Sequence, residues 1–279
     1  MDGKQNLERL IARDRTITLV GLIVLCALAW AYIVMGAGLG MTAREMMTLA
    51  LFPHQQGAHM AGVGMGAMDA PGVGSGDAGW VLPLAMWWVM MIAMMAPSAA
   101  PTILLYARVH RHSVGRSQLE DKPAPTTAFA AGYLLIWLGF SVVAASLHWM
   151  MESKGIVSAM GARSQWLSAG VLIAAGIYQF TPLKSACLSH CRSPAEFLAR
   201  QWRPHAVGAI RLGAIHGAYC VGCCWVLMML LFVGGAMNLV WIAALTILVL
   251  AEKLLPPGRW IGRAVGLALI GWGIATILV

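Results

Sequence analysis

The residues best suited to chemistry lie in His216-Gly-Ala-Tyr-Cys220-Val-Gly-Cys223-Cys224-Trp225, a run inside a long apolar segment. At about 3.6 residues per helical turn, His216, Cys220, Cys223 and Cys224 fall at i, i+4, i+7 and i+8, so one imidazole and three thiols share a stripe. Hydrocarbon surroundings penalise ionisable groups, and a cluster of them in such a segment marks a functional site. Thiolate is a soft donor that selects Cu(I) and Zn(II), while imidazole serves several transition ions. The same pattern suits thiol redox chemistry, with Cys220 and Cys223 as a Cys-x-x-Cys pair and Cys187 or Cys191 resolving it.

A second group, Cys187, His190 and Cys191, follows Pro182 and Lys184. Proline removes a backbone donor and ends the preceding helix, which lets this segment fold back against the His216–Cys224 stripe. Together the two groups offer five thiols and two imidazoles, more than one tetrahedral ion needs. The surplus points to transfer between sites or to more than one ion. Cys26 stands alone in an apolar run and reads as a small buried hydrophobe. In Met86-Trp-Trp-Val-Met90-Met91-Ile-Ala-Met94-Met95-Ala-Pro97, thioethers recur every four residues and form a stripe. Such a stripe serves core packing or a soft-metal path; in the second use Met90, Met91, Met94 and Met95 form a weak relay. Pro97 and Pro101 are expected to kink the helix that carries them.

The chain that positions these groups has 279 residues, 59% of them hydrophobic and 11% charged. A soluble domain carries about a quarter charged residues, so the composition predicts an integral membrane protein. Apolar runs near 17–37, 80–108, 127–150, 165–181, 212–237, 239–250 and 260–279 predict an all-α, polytopic transmembrane helix bundle of about seven spans. The first run follows a basic start, but at about 20 residues it is long enough to span and has no convincing cleavage site, so it is expected to be a retained helix. The organisation is then 1–37, a basic terminus and first span; 38–79, a Gly/His/Met-rich linker; and 80–279, a six-span metal-binding domain.

Sixteen of the nineteen Lys and Arg residues fall before the first run or in alternate connections near 108–122, 184–211 and 253–263. By the positive-inside rule the N-terminus is cytoplasmic and the C-terminus external. The formal charge of +8 is thus a topology signal, with the lipid bilayer as partner and no nucleic acid. Cys187, His190 and Cys191 are expected at the cytoplasmic surface, with the main stripe running from there toward the midplane; the reducing compartment disfavours a structural disulfide. The linker, with His54, His59, Met60, Met65 and Met68, faces outside. An outer capture segment, a thioether stripe and inner thiols would make a path of increasing softness for Cu(I) to enter. Gln179, Lys184, Glu252 and Lys253, at span ends, read as a snorkelling rim; the other reading of the carboxylate is as acceptor of protons that thiols release on metal capture. Gly262, Gly266 and Gly271 are expected packing positions.

Met-Met-x-x-Met-Met-Ala-Pro, Tyr178-Gln-Phe-Thr-Pro-Leu-Lys184 leading to Cys187 and Cys191, His216-Gly217 leading to Cys220-Val-Gly-Cys223-Cys224-Trp225, and Glu252-Lys253 together resemble the predicted metal-binding integral membrane proteins of bacteria. The resemblance runs from Trp80 onward and implies a metal-binding role for the cysteines, without an established reaction. The expectation is a protein of the bacterial inner membrane that binds a soft transition metal, copper as Cu(I) first and zinc second, and acts in metal transport or metallation of a partner. Its ligands are His216, Cys220, Cys223 and Cys224, with Cys187, Cys191 and His190 as cytoplasmic partners; no catalytic residue is assigned. The sequence leaves open a homo-oligomer or protein partner, a thiol-disulfide oxidoreductase, and a subunit or assembly factor of a larger membrane copper enzyme.

Overall fold

In a computed structural model the described residues are 2–37, 78–114, 126–158, 161–162, 164–202 and 205–279. They form helices α1 (Asp2–Val34), α2 (Ala78–Val114), α3 (Thr126–Ser153), α4 (Gln165–Tyr178), α5 (Pro182–Arg192), α6 (Pro194–Gln201), α7 (His205–Gly234), α8 (Leu239–Leu254) and α9 (Gly258–Leu278). A two-residue antiparallel pair, β1 (Val157–Ser158) with β2 (Gly161–Ala162), closes the connection after α3. The fold is an all-α polytopic bundle, and each of the seven apolar runs is helical. The linker with His54, His59, Met60, Met65 and Met68 lies outside the described residues.

Among the described residues five helical segments are long and apolar enough to cross a membrane: Thr16–Val34, Trp80–His110, α3, α7 and α9. A sixth results if α4 and α5 count as one span bent by 62°. The number falls below seven because α8 has 16 residues; at 1.5 Å per residue it covers about 24 Å, less than the ~30 Å of a bilayer core. The outer surface is apolar in the way a lipid-facing surface must be: Ile17, Ile23, Leu28, Val143, Ile247 and Leu267 all stand exposed.

Helix α7 is the organising element. It packs most extensively on α3 and also meets α4, α5 and α8. Close approach to α3 depends on glycine: a Cβ on Gly132 would come 2.0 Å from Ile210 O, and one on Gly213 would come 1.9 Å from Phe129 O. Without a hydrophobic force between helices in lipid, such small-residue contacts allow the backbone packing that holds them together. Between α9 and α4 the contacts are made at Gly266 and Gly273, and Gly262 faces Glu252 and Gln179, while Gly271 has nothing within 4 Å. The expectation for Gly271 is therefore corrected: nine residues beyond Gly262, it lies half a turn round the helix from the buried face.

The break after α4 is built locally. Gln179 and Phe180 leave the helix in a turn, Thr181 Oγ1 accepts from Lys184 N at 3.3 Å, and Pro182 begins α5. An N-cap threonine with proline at the first helical position starts a new helix economically, since proline's missing donor is one that no helix end can use. By contrast, helix α2 runs through Pro83, Pro97 and Pro101 as one helix.

Candidate metal centre

The stripe on α7 faces inward along its whole length, with His216, Cys220, Cys223 and Cys224 each 2% exposed or less. Cys220 is the hub. Its Sγ lies 2.9 Å from Lys253 Nζ on α8 and 3.1 Å from the Tyr133 hydroxyl on α3. Lys253 Nζ also donates to Ser98 Oγ on α2 at 3.1 Å, and Ser98 Oγ and the Tyr133 hydroxyl both donate to Met95 O, at 2.8 and 3.1 Å. Residues from two further helices thus meet this sulfur, and a third helix, through Ser98, holds the ammonium.

The other thiols pack around this hub. Cys223 Sγ and Cys224 Sγ each donate to Cys220 O at 3.0 Å, which anchors them on the helix backbone. Cys224 Sγ lies 3.9 Å from Met95 Sδ. From α5, Cys191 comes beside Cys223, and Cys187 sits against Gly222, where a Cβ would meet its Sγ at 2.7 Å. The expected fold-back of α5 onto α7 is therefore what the chain does. All six cysteines are free. Among the described residues no three His, Cys, Asp or Glu side chains converge on a common point as an assembled ion site. The physical reason is visible in the bonds just given: the thiols satisfy one another, a carbonyl and an ammonium, and side-chain rotation would be needed to aim them at one ion.

The remaining expected ligands are divided. His216 lies among the rings of Phe129, Tyr133 and Phe197, with centroids 6.1, 5.8 and 5.5 Å away, and its Nδ1 has no hydrogen-bond partner. A buried ring nitrogen left unpaired is costly unless something binds it. His190 is exposed, hydrogen-bonded through Nδ1 to Ala186 O at 2.8 Å and stacked on Tyr219 at 4.1 Å, and is not brought to the thiols. Met90, Met91 and Met94 are buried in the core; of the four relay methionines it is Met95 that touches a thiol.

The rim reading of the polar residues is overturned. Lys184 is 3% exposed, Glu252 2%, Lys253 6% and Gln179 8%. Lys184 Nζ donates to Glu252 Oε2 at 2.7 Å and to Gln179 Oε1. The side chains do not snorkel because α5 turns back on the bundle and each ammonium finds a partner there, Lys184 at Glu252 and Gln179 and Lys253 at Cys220 and Ser98. Two of the sixteen basic residues used to orient the chain are consequently not loop charges. Sequence reasoning also missed Lys253, Tyr133 and Ser98. For Lys253 a signal existed: Ile242, Thr246, Val249 and Lys253 share a helical stripe, and the first three are apolar or able to hydrogen-bond within the helix, as Thr246 does to Ile242 O at 2.6 Å. Nothing local distinguishes Tyr133 or Ser98.

A family model described as a copper chaperone, PpoB2, matches residues 84–276. The chain belongs to that family. The matched stretch includes the methionine stripe, both cysteine groups and Glu252-Lys253. Neither a curated protein nor a solved structure matches the chain.

Proposed function

We propose that this member of a copper chaperone family is a membrane-embedded Cu(I) carrier that gathers the ion on Cys191, Cys220, Cys223 and Cys224 and passes it to a protein partner. The observation that carries the reading is three buried thiols on α7 joined by half-buried Cys191 of α5, with a thioether 3.9 Å from one of the three and an ammonium 2.9 Å from another. Sulfur donors without a carboxylate ligand favour Cu(I) over harder ions. Low coordination also fits: Cu(I) needs fewer of these donors than the four of a structural zinc site. Metal must be bound by deprotonated sulfur, and the Lys253 ammonium supplies positive charge against which anionic sulfur can be held in a medium that otherwise penalises it.

In this reading His216, with its unpaired Nδ1, is a further ligand, Cys187 and His190 are outer stations from which the ion enters or leaves, and Met90, Met91, Met94 and Met95 are a weak relay. The basic connections orient the protein in a bacterial inner membrane with the N-terminus and the α5 thiols toward the cytoplasm. The spare thiols relative to one ion's needs suit a carrier, in which exchange between neighbouring sulfurs moves the ion without releasing it.

The test is elemental analysis of the full-length protein purified anaerobically in detergent with reductant. Stoichiometric copper is expected in the wild type and none in the Cys223→Ser, Cys224→Ser double variant. Unchanged metal content in that variant would overturn the assignment. Thiol trapping separates a redox enzyme from a carrier, since carrier thiols are protected when metal is bound and show no donor-dependent disulfide.

A further inference from the structure

Helix α5 holds Cys187 and Cys191 between two ties to the end of α8. In its first turn Lys184 Nζ donates to Glu252 Oε2 at 2.7 Å, with both side chains 3% exposed. At its last residue Arg192 Nη2 donates to Leu255 O at 2.8 Å and to Pro256 O at 2.9 Å. Gly258 keeps this corner tight, since a Cβ there would fall 2.2 Å from Glu252 O and 3.1 Å from Arg192 Nη1.

The ties matter because they fix α5 to a second helix, its other main contacts, such as Cys187 against Gly222 and His190 on Tyr219, being with α7. Helix α5 has 11 residues, too few to be stable alone, and the 62° bend means that α4 does not set its direction. Lys184, Cys187 and Cys191 stand at i, i+3 and i+7, so the charge and the thiols share one helical face. A slip of one turn would displace Cys191 by about 5.4 Å and separate it from Cys223. A buried ion pair contributes little net stability over apolar residues of the same size, and its best-attested use is to specify a register. The partner is telling as well: Glu252 is next in sequence to Lys253, whose ammonium holds Cys220. One helix end therefore grips both halves of the thiol cluster.

We infer that Lys184 and Glu252 are positioning residues that set the register of α5 against α7 and so bring Cys191 to Cys223. The inference rests on the copper reading for its meaning, but it can be tested without metal. In copper-free, full-length protein, mild oxidation with diamide followed by peptide mapping reads Cys191–Cys223 disulfide formation directly. Wild type is expected to form this disulfide readily, and Lys184→Met and Glu252→Gln about tenfold more slowly, the scale of a coupled pair. The exchanged pair Lys184→Glu with Glu252→Lys keeps both charges and is expected to recover most of the rate.

A second readout uses copper. The ultraviolet thiolate-to-Cu(I) band of Lys184→Met should match that of Cys191→Ser, and adding Cys191→Ser to Lys184→Met should change nothing more. Wild-type crosslinking in both single variants, with unaltered elution from a sizing column, would overturn the inference. If both singles aggregate, the exchanged pair decides: rapid crosslinking supports the register role and slow crosslinking overturns it. A wild type that takes up no Cu(I) but shows the expected crosslinking pattern would remove the copper reading and leave the positioning role standing.

Discussion

Two buried ammonium groups lie close together in this bundle and have different company. Lys184 faces a carboxylate, Glu252, at 2.7 Å; Lys253 faces a hydroxyl at 3.1 Å and a thiol at 2.9 Å. The first pair carries its own charge balance. The second sets a positive charge among sulfurs that can become anionic, which is what a pocket for a thiolate-bound ion requires. The difference teaches that two equally buried charges are told apart by their partners, and under the proposed copper reading it is Lys253 that serves the ion.

Four predictions test this contrast, and they descend in size. Removing one member of a buried charge interaction costs about 3–5 kcal/mol, so Lys253→Met should weaken Cu(I) binding by about a hundredfold or more. Competition with a chromophoric Cu(I) chelator measures it, and wild-type affinity in the variant would erase the distinction between the two lysines. Next, Glu252→Met should lower the thermal midpoint in detergent, while Lys184→Met combined with Glu252→Met should recover most of it, because an apolar pair of like volume is often neutral or better. Failure of the double variant to recover would mean that the pair does more for folding than hold a register.

A smaller effect is expected at the thioether. Met95→Leu conserves volume, with a stability cost under about 1.5 kcal/mol, so a severalfold loss of Cu(I) affinity with little change in thermal midpoint would isolate the sulfur's contribution. The smallest belongs to His190→Ala. An exposed, stacked imidazole away from the thiols should leave Cu(I) affinity in the purified protein unaltered, and a marked loss would bring His190 into the centre.

Legibility in the sequence followed the range of the interaction involved. The stripe of His216, Cys220, Cys223 and Cys224 could be read because helical periodicity is local, and the break at Pro182 because proline acts on its own backbone. The methionine stripe was legible as a pattern, yet which of its members meets a thiol was not, since that depends on the rotation of α2 against α7. His190 shows the converse: its spacing matched the cysteines beside it, and the aromatic face of Tyr219 drew it elsewhere.

The amino-acid sequence alone determined that this is an all-helical, membrane-type bundle with two cysteine groups able to meet, because composition and spacing act over one or two helical turns. Only the tertiary structure decided that Lys184, Glu252 and Lys253 lie inside. Their charges resemble any others at a span's end until α5 folds back against α7 and the end of α8, and that arrangement is set by contacts between residues far apart in the chain. Tyr133 and Lys253 reach Cys220 from two further helices, and Ser98 holds the Lys253 ammonium from a third. No periodicity within a helix can specify such a meeting, because it belongs to the packing between helices.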